Sequence, residues 1–179
     1  MKRVLSFAVA ACLTLPALGV AQDQPGAMAA ALKATLTRYA TNMPGAADSM
    51  PAGKYGFKPT PGQMSFGEIL AHEAQSNETL CAAINGSSAT PSESAAGATS
   101  PKADLMARLK RSFEYCGTVV GAVKESQLGD SVPFFGGRKA TRARAVIALA
   151  QDWADHYAQA AMYLRLNGIL PPSARPRTP

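Results

Sequence analysis

The stretch NGSSATPSESAAGATS, residues 85–100, decides the fold. It holds no large apolar residue and follows neither a helical nor a strand period, so it reads as a flexible connection between two periodic segments. Its sixteen residues can reach up to ~50 Å when extended. A helix of twenty residues is only ~30 Å long. The connection is therefore long enough to carry the chain back along a whole helix, and the two flanking helices are free to run parallel.

Both flanks are legible as helices. Upstream, Ser65 with Glu68 three residues on is a capping box, which satisfies two orphan amide hydrogens reciprocally; Phe66, Ile69, Leu70, Leu80, Cys81 and Ile84 then form the apolar positions. Downstream, Ser100 is the expected cap and Pro101 the first helical residue, where proline's missing amide hydrogen costs nothing. Leu105, Leu109, Phe113, Cys116, Val120 and Val123 follow as one continuous apolar stripe, the mark of a core helix.

Two further helices complete the pattern. The first spans about residues 25–43, with Met28, Ala31, Leu32, Thr35, Leu36 and Tyr39 at helical spacing and Pro44-Gly45 as its expected stop. The last opens at Thr141, runs to Asn167 and ends at Gly168 ahead of Pro171 and Pro172. Residues 50–63 and 125–140 are loops, the latter with Phe134 and Phe135 expected to cover one end. No segment shows a strand pattern. The expectation is an all-α four-helix bundle over residues 22–172, to which an up-down-down-up order with helices two and three parallel is open, followed by a disordered tail at 173–179.

Cysteine spacing bears on the same topology. Cys81 lies about 16 residues into helix two and Cys116 about 15 into helix three. If these helices are parallel the sulfurs sit at matching heights and can form a disulfide; if antiparallel, the offset exceeds ~10 Å and no bridge is feasible. The disulfide and the crossover stand or fall together.

At the N-terminus, Lys2 and Arg3 precede the apolar run VLSFAVAACLTLPALGV and small residues at Gly19 and Ala21. This is the pattern of a secretory signal peptide over residues 1–21. It predicts an exported protein, periplasmic or secreted, where a disulfide is stable. The VAAC at Cys12 loosely resembles a lipoprotein box, but the apolar run continues past it. No later segment is apolar enough to span a bilayer. Removal of Lys2 and Arg3 takes the net charge from +6 to +4, and the one basic cluster, RKATRAR at 138–144, has no interleaved aromatics. Nucleic acid is therefore not an expected partner. Homodimerisation through a leftover apolar face stays open.

The chemistry-bearing residues lie on helices two and four. On a helical wheel, Asp152, His156, Gln159 and Tyr163 fall within about 40° of one direction, flanked by Val146, Trp153, Leu164 and Leu166. An acid, an imidazole, an amide and a phenol on an inward face form either a hydrogen-bond network or a metal or substrate pocket. On helix two, His72 lies about 120° off the apolar centre, whereas Glu73 and Asn77 lie within it. If helices two and four are antiparallel, His72 and His156 stand about 10 and 17 Å from the same bundle end, close enough to share one site.

Two stretches carry a family resemblance: MPAGKYGFKPTPGQMSFGEILAHEAQSN (50–77) and TRARAVIALAQDWADHYAQAAMYLRLNGILPPS (141–173). With them the chain resembles the DinB-like family, in particular its exported members. The resemblance implies a bundle with helices two and three parallel and a divalent metal held by three histidines, one from helix two and two from an HxxxH pair on helix four. His72 matches the first position and His156 the last; Asp152 stands at the middle one. Two histidines and a carboxylate still form a set with open positions, suited to zinc, nickel, iron or manganese. Metal-dependent hydrolysis or thiol transfer on a small molecule is the implied activity, with Glu73, Asn77, Gln159 and Tyr163 as second-shell or substrate-facing groups. The competing reading is a metal-free binding or structural bundle in which Asp152 records the loss of a ligand.

Overall fold

The computed structural model describes residues 26–88 and 96–176. The expected signal peptide, the Cys12 box, the middle of the 85–100 connection and the last three residues lie outside this range. Four helices make the body: α1 (Ala27–Ser49), α2 (Phe66–Ile84), α3 (Lys102–Gly121) and α4 (Arg142–Leu166). Among the described residues no helix is long and apolar enough to cross a membrane.

Residue pairings give the topology. Asn77 bonds Ser112 and Cys81 is joined to Cys116 by a disulfide with Cα atoms 5.4 Å apart, so numbers rise together and α2 and α3 are parallel. Against α4 the numbers run oppositely: Tyr163 donates to Met64 O, Trp153 to Asn77 and Arg142 to Ile84 O. Helices α2 and α4 are therefore antiparallel neighbours. The expected crossover and its disulfide are present together.

Local signals act as the sequence implies at several helix ends. Ser65 and Glu68 form the complete capping box of α2. The Ser65 amide, joined by the Lys58 ammonium at 2.9 Å, holds the Glu68 carboxyl down at about 2. Thr141 caps α4 by accepting from the Arg144 amide, and Gly168 follows the helix at a φ of 73°, a conformation that favours glycine.

Three expectations are corrected. Pro44 does not stop α1; the helix runs through it to Ser49. Only one intrahelical bond is lost at a proline nitrogen, and the chain just beyond it buries Ala46, Ala47 and Met50 completely, which offsets that loss. Ser100 does not cap α3: its hydroxyl accepts from the Gly97 amide instead, and Pro101 occupies the cap position. Finally, residues 125–140 contain a small hairpin, β1 (Ser131–Pro133) paired antiparallel with β2 (Lys139–Thr141). Gly136 and Gly137 both have positive φ at its turn, and Val132 is its buried residue. Strands of three residues are too short for alternation to register in sequence.

Side chains that looked like surface charge hold the loops in place. Arg142 donates to the carbonyls of Ile84 and Gln127 and pairs with Asp130, while Arg144 lies over the Phe134 ring. Much of the basic cluster is thus occupied within the fold. Arg108 chelates Glu78 through two nitrogens and reaches Ala96 O, pinning the far end of the crossover. The start of the expected tail is also held: Tyr157 and Ser173 exchange hydrogen bonds, and Arg175 donates to Ser49.

Candidate metal centre

Helices α2 and α4 meet along an antiparallel seam, and the seam's polar residues divide into separate groups. Midway along it, His72 of α2 faces Asp152 and His156 of α4. One ligand atom from each of these three lies within 4.8 Å of the other two, and the imidazole centroids are 4.6 Å apart. His72 is solvent-exposed, Asp152 half-buried and His156 buried. The cluster therefore grades from the interior to the surface, with its His72 side open to solvent.

His156 is oriented by oxygen atoms. Its Nδ1 lies 2.9 Å from its own helix's Asp152 carbonyl, 3.5 Å from Asp152 Oδ1 and 3.7 Å from Glu73 Oε2. With Nδ1 donating to the carbonyl, Nε2 is the nitrogen left with a free lone pair. Burial disfavours the imidazolium, but Asp152 and Glu73 outweigh it and hold the His156 pKa above its ordinary value. Burial and the neighbouring His156 push His72 the other way, below its ordinary value. Glu73 is raised by burial, reinforced by the charge of Asp152.

Glu73 is fully buried. Among the described residues, the buried side-chain nitrogens and oxygens without any hydrogen-bond partner are both Glu73 oxygens and Asp152 Oδ2. Asp152 belongs to the cluster, and Glu73 lies beside it, its Oε2 3.7 Å from His156 Nδ1. Buried polar groups are nearly always paired, and an unpaired carboxylate in a protein interior costs several kcal/mol. Two imidazoles and a carboxylate, with carboxylate oxygens lacking donors, fit a divalent cation by donor type and by charge.

The remaining candidates sit elsewhere along the seam. Asn77 lies one turn beyond Glu73, where its amide accepts from Trp153 Nε1 at 2.6 Å and donates to Ser112 at 3.0 Å; Ser112 in turn donates to Leu109 O. That chain is complete and ties three helices together. Gln159 bonds Asp155 on its own helix. Tyr163 donates to Met64 O and packs edge-on against Phe57, anchoring the loop before α2. Trp153 and Ser112 are the partners that periodicity alone did not single out as a network. Asn77 falling on the buried arc of α2 is the signal that could have found them, because a buried amide requires partners.

Fold and cluster together define a four-helix bundle with an acid-and-imidazole group in its α2/α4 seam. The chain belongs to the DinB superfamily, whose model matches residues 35–160. Among solved structures, a DinB-like protein from Bacillus subtilis is similar at a TM-score of 0.64 and 16% identity, covering 83% of this chain and 96% of that one. A conserved protein from Enterococcus faecalis is similar at a TM-score of 0.62 and 20% identity, covering 76% of this chain and 95% of that one. At these identities the likeness is one of fold. No curated protein matches the chain.

Proposed function

We propose that this protein is an exported, divalent-metal-binding member of the DinB superfamily that holds its ion on His72, Asp152 and His156. The observation that carries the reading is the convergence at one point of two imidazoles and a carboxylate that keeps a buried, unpartnered oxygen, among the described residues. Zinc, nickel, iron and manganese all suit that donor set. Such an ion supplies a Lewis-acid centre, which suits hydrolysis or thiol transfer on a small-molecule substrate.

The chain's own groups have definable parts in this site. Asp152 and Glu73 turn the His156 ring, and the exposed edge of His72 marks the side from which a substrate approaches. The second reading, a metal-free bundle, has its own support: a protonated His156 lies between Asp152 and Glu73 and can partly neutralise them.

Thermal unfolding separates the two. An ion that binds only the folded chain, supplied at one hundred times its dissociation constant, should stabilise it by about 2.7 kcal/mol and raise Tm by roughly 5–10 °C. The metal reading expects that shift with at least one of the four ions. Unchanged melting with every one of them would favour the metal-free bundle.

Export rests on the leader pattern and on the Cys81–Cys116 disulfide, which fits an oxidising compartment. Protein recovered from outside the cytoplasm should begin at Gln22 on N-terminal sequencing. Intact Met1 on the recovered chain would contradict the leader.

A further inference from the structure

We propose that Glu73 is a positioning residue of the metal centre, its buried carboxyl group held behind His156 so as to orient that imidazole. This rests on the metal reading above and extends it to a residue outside the three-ligand set.

The first argument is a contrast between two buried polar residues on one face of α2. Asn77 is fully buried and both ends of its amide are bonded, to Trp153 and to Ser112. Glu73, one turn earlier and equally buried, has no bond at either oxygen. A side chain kept only for packing or helix register would be satisfied as Asn77 is, or would be apolar like its neighbours Ile69, Leu70 and Ala74. An unsatisfied carboxylate at full burial is destabilising by itself, and such groups are found where function requires them.

Geometry gives the direction in which Glu73 acts. Its Oε2 faces the Nδ1 edge of His156 at 3.7 Å, the edge already turned to the Asp152 carbonyl. With Nδ1 turned to that carbonyl, Nε2 is the nitrogen left with a lone pair for an ion. A carboxylate behind a ligating histidine fixes the ring and makes its free nitrogen a better donor. Glu73 is outside the group of atoms that converge within 4.8 Å, so it acts through His156.

The test is Glu73→Gln, which keeps the shape of the side chain and replaces its carboxyl group with an amide. Zinc and manganese affinities would be measured by competition with a chelator, and melting of the metal-free protein would be measured alongside. The expected result is a 10–100-fold loss of affinity, an unchanged number of ions per chain, and a metal-free Tm equal to or above that of the unaltered protein. Loss of affinity without loss of stability is what a purely structural role would not produce. Should Glu73→Gln fail to fold, Glu73→Asp keeps the carboxyl group at shorter reach, and its affinity is expected to fall by about tenfold. Affinity within about twofold of the unaltered chain in the folded variant, well short of that loss, overturns the role of Glu73 and leaves the metal reading standing. No uptake of either ion by the unaltered protein overturns both.

Discussion

Trp153→Ala should lower the unfolding free energy by about 4 kcal/mol, a large share of the 5–15 kcal/mol that holds a typical domain together. The indole is fully buried, with Phe113 of α3 at 6.1 Å and Tyr39 of α1 at 6.4 Å between ring centroids. It therefore joins three helices across the middle of the bundle. Truncation removes that packing, leaves a cavity and strips Asn77 Oδ1 of its donor, which adds about 1–3 kcal/mol if no water replaces it. Trp153→Phe keeps most of the volume but not the donor, so it isolates the hydrogen-bond part of the loss. Urea denaturation followed by far-ultraviolet circular dichroism gives the measurement, because Trp153 is the only tryptophan and its fluorescence disappears with it. A loss below about 1 kcal/mol, the range of ordinary surface substitutions, would mean that the three-helix junction is not where the bundle's stability lies.

Replacing both imidazoles, His72→Ala together with His156→Ala, should reduce metal affinity on the order of 1,000-fold or more, since disturbing even the groups behind a ligand costs 10–100-fold. The bundle should survive the change. His72 is exposed, and the packing around His156 is carried by Leu149, Trp153 and Ala160, all fully buried on α4. The variant therefore separates binding from folding. If it takes up zinc or manganese as tightly as the unaltered chain, the ion sits somewhere other than the α2/α4 seam.

Much of this arrangement was legible because it rests on short-range chemistry. The Ser65/Glu68 capping box, the Thr141 cap and the Gly168 terminus each depend on one residue type at one offset, and each is found where the offset puts it. Chain length allowed a parallel α2/α3 pair, the cysteine heights tied it to a disulfide and the family resemblance implied it; the Cys81–Cys116 bond is present. Pro44 was misleading because its cost is local, whereas the reward of continuing, the burial of Ala46, Ala47 and Met50, depends on tertiary neighbours. The β1/β2 hairpin was invisible for a related reason: three residues per strand carry no period.

The site was legible to a similar depth. The wheel put Asp152 and His156 on one face, the helix heights put His72 within reach and the family resemblance grouped the three; they stand together in the structure. The same wheel placed Gln159 and Tyr163 on that face, yet their hydrogen bonds run to Asp155 and Met64. A wheel gives the direction of a Cβ, while the partner a long side chain selects is decided by what lies within reach of its end. Nor could periodicity tell that Asn77 would be satisfied and Glu73 would not, because that depends on which α3 and α4 side chains arrive opposite them.

Elemental analysis of the purified protein, after equilibration with zinc, nickel, iron and manganese in turn and removal of loose ions, tests the central claim most directly. Binding at His72, Asp152 and His156 predicts about one ion per folded chain for at least one of the four, absent from the double-histidine variant. A folded chain that stays metal-free with all four would contradict it.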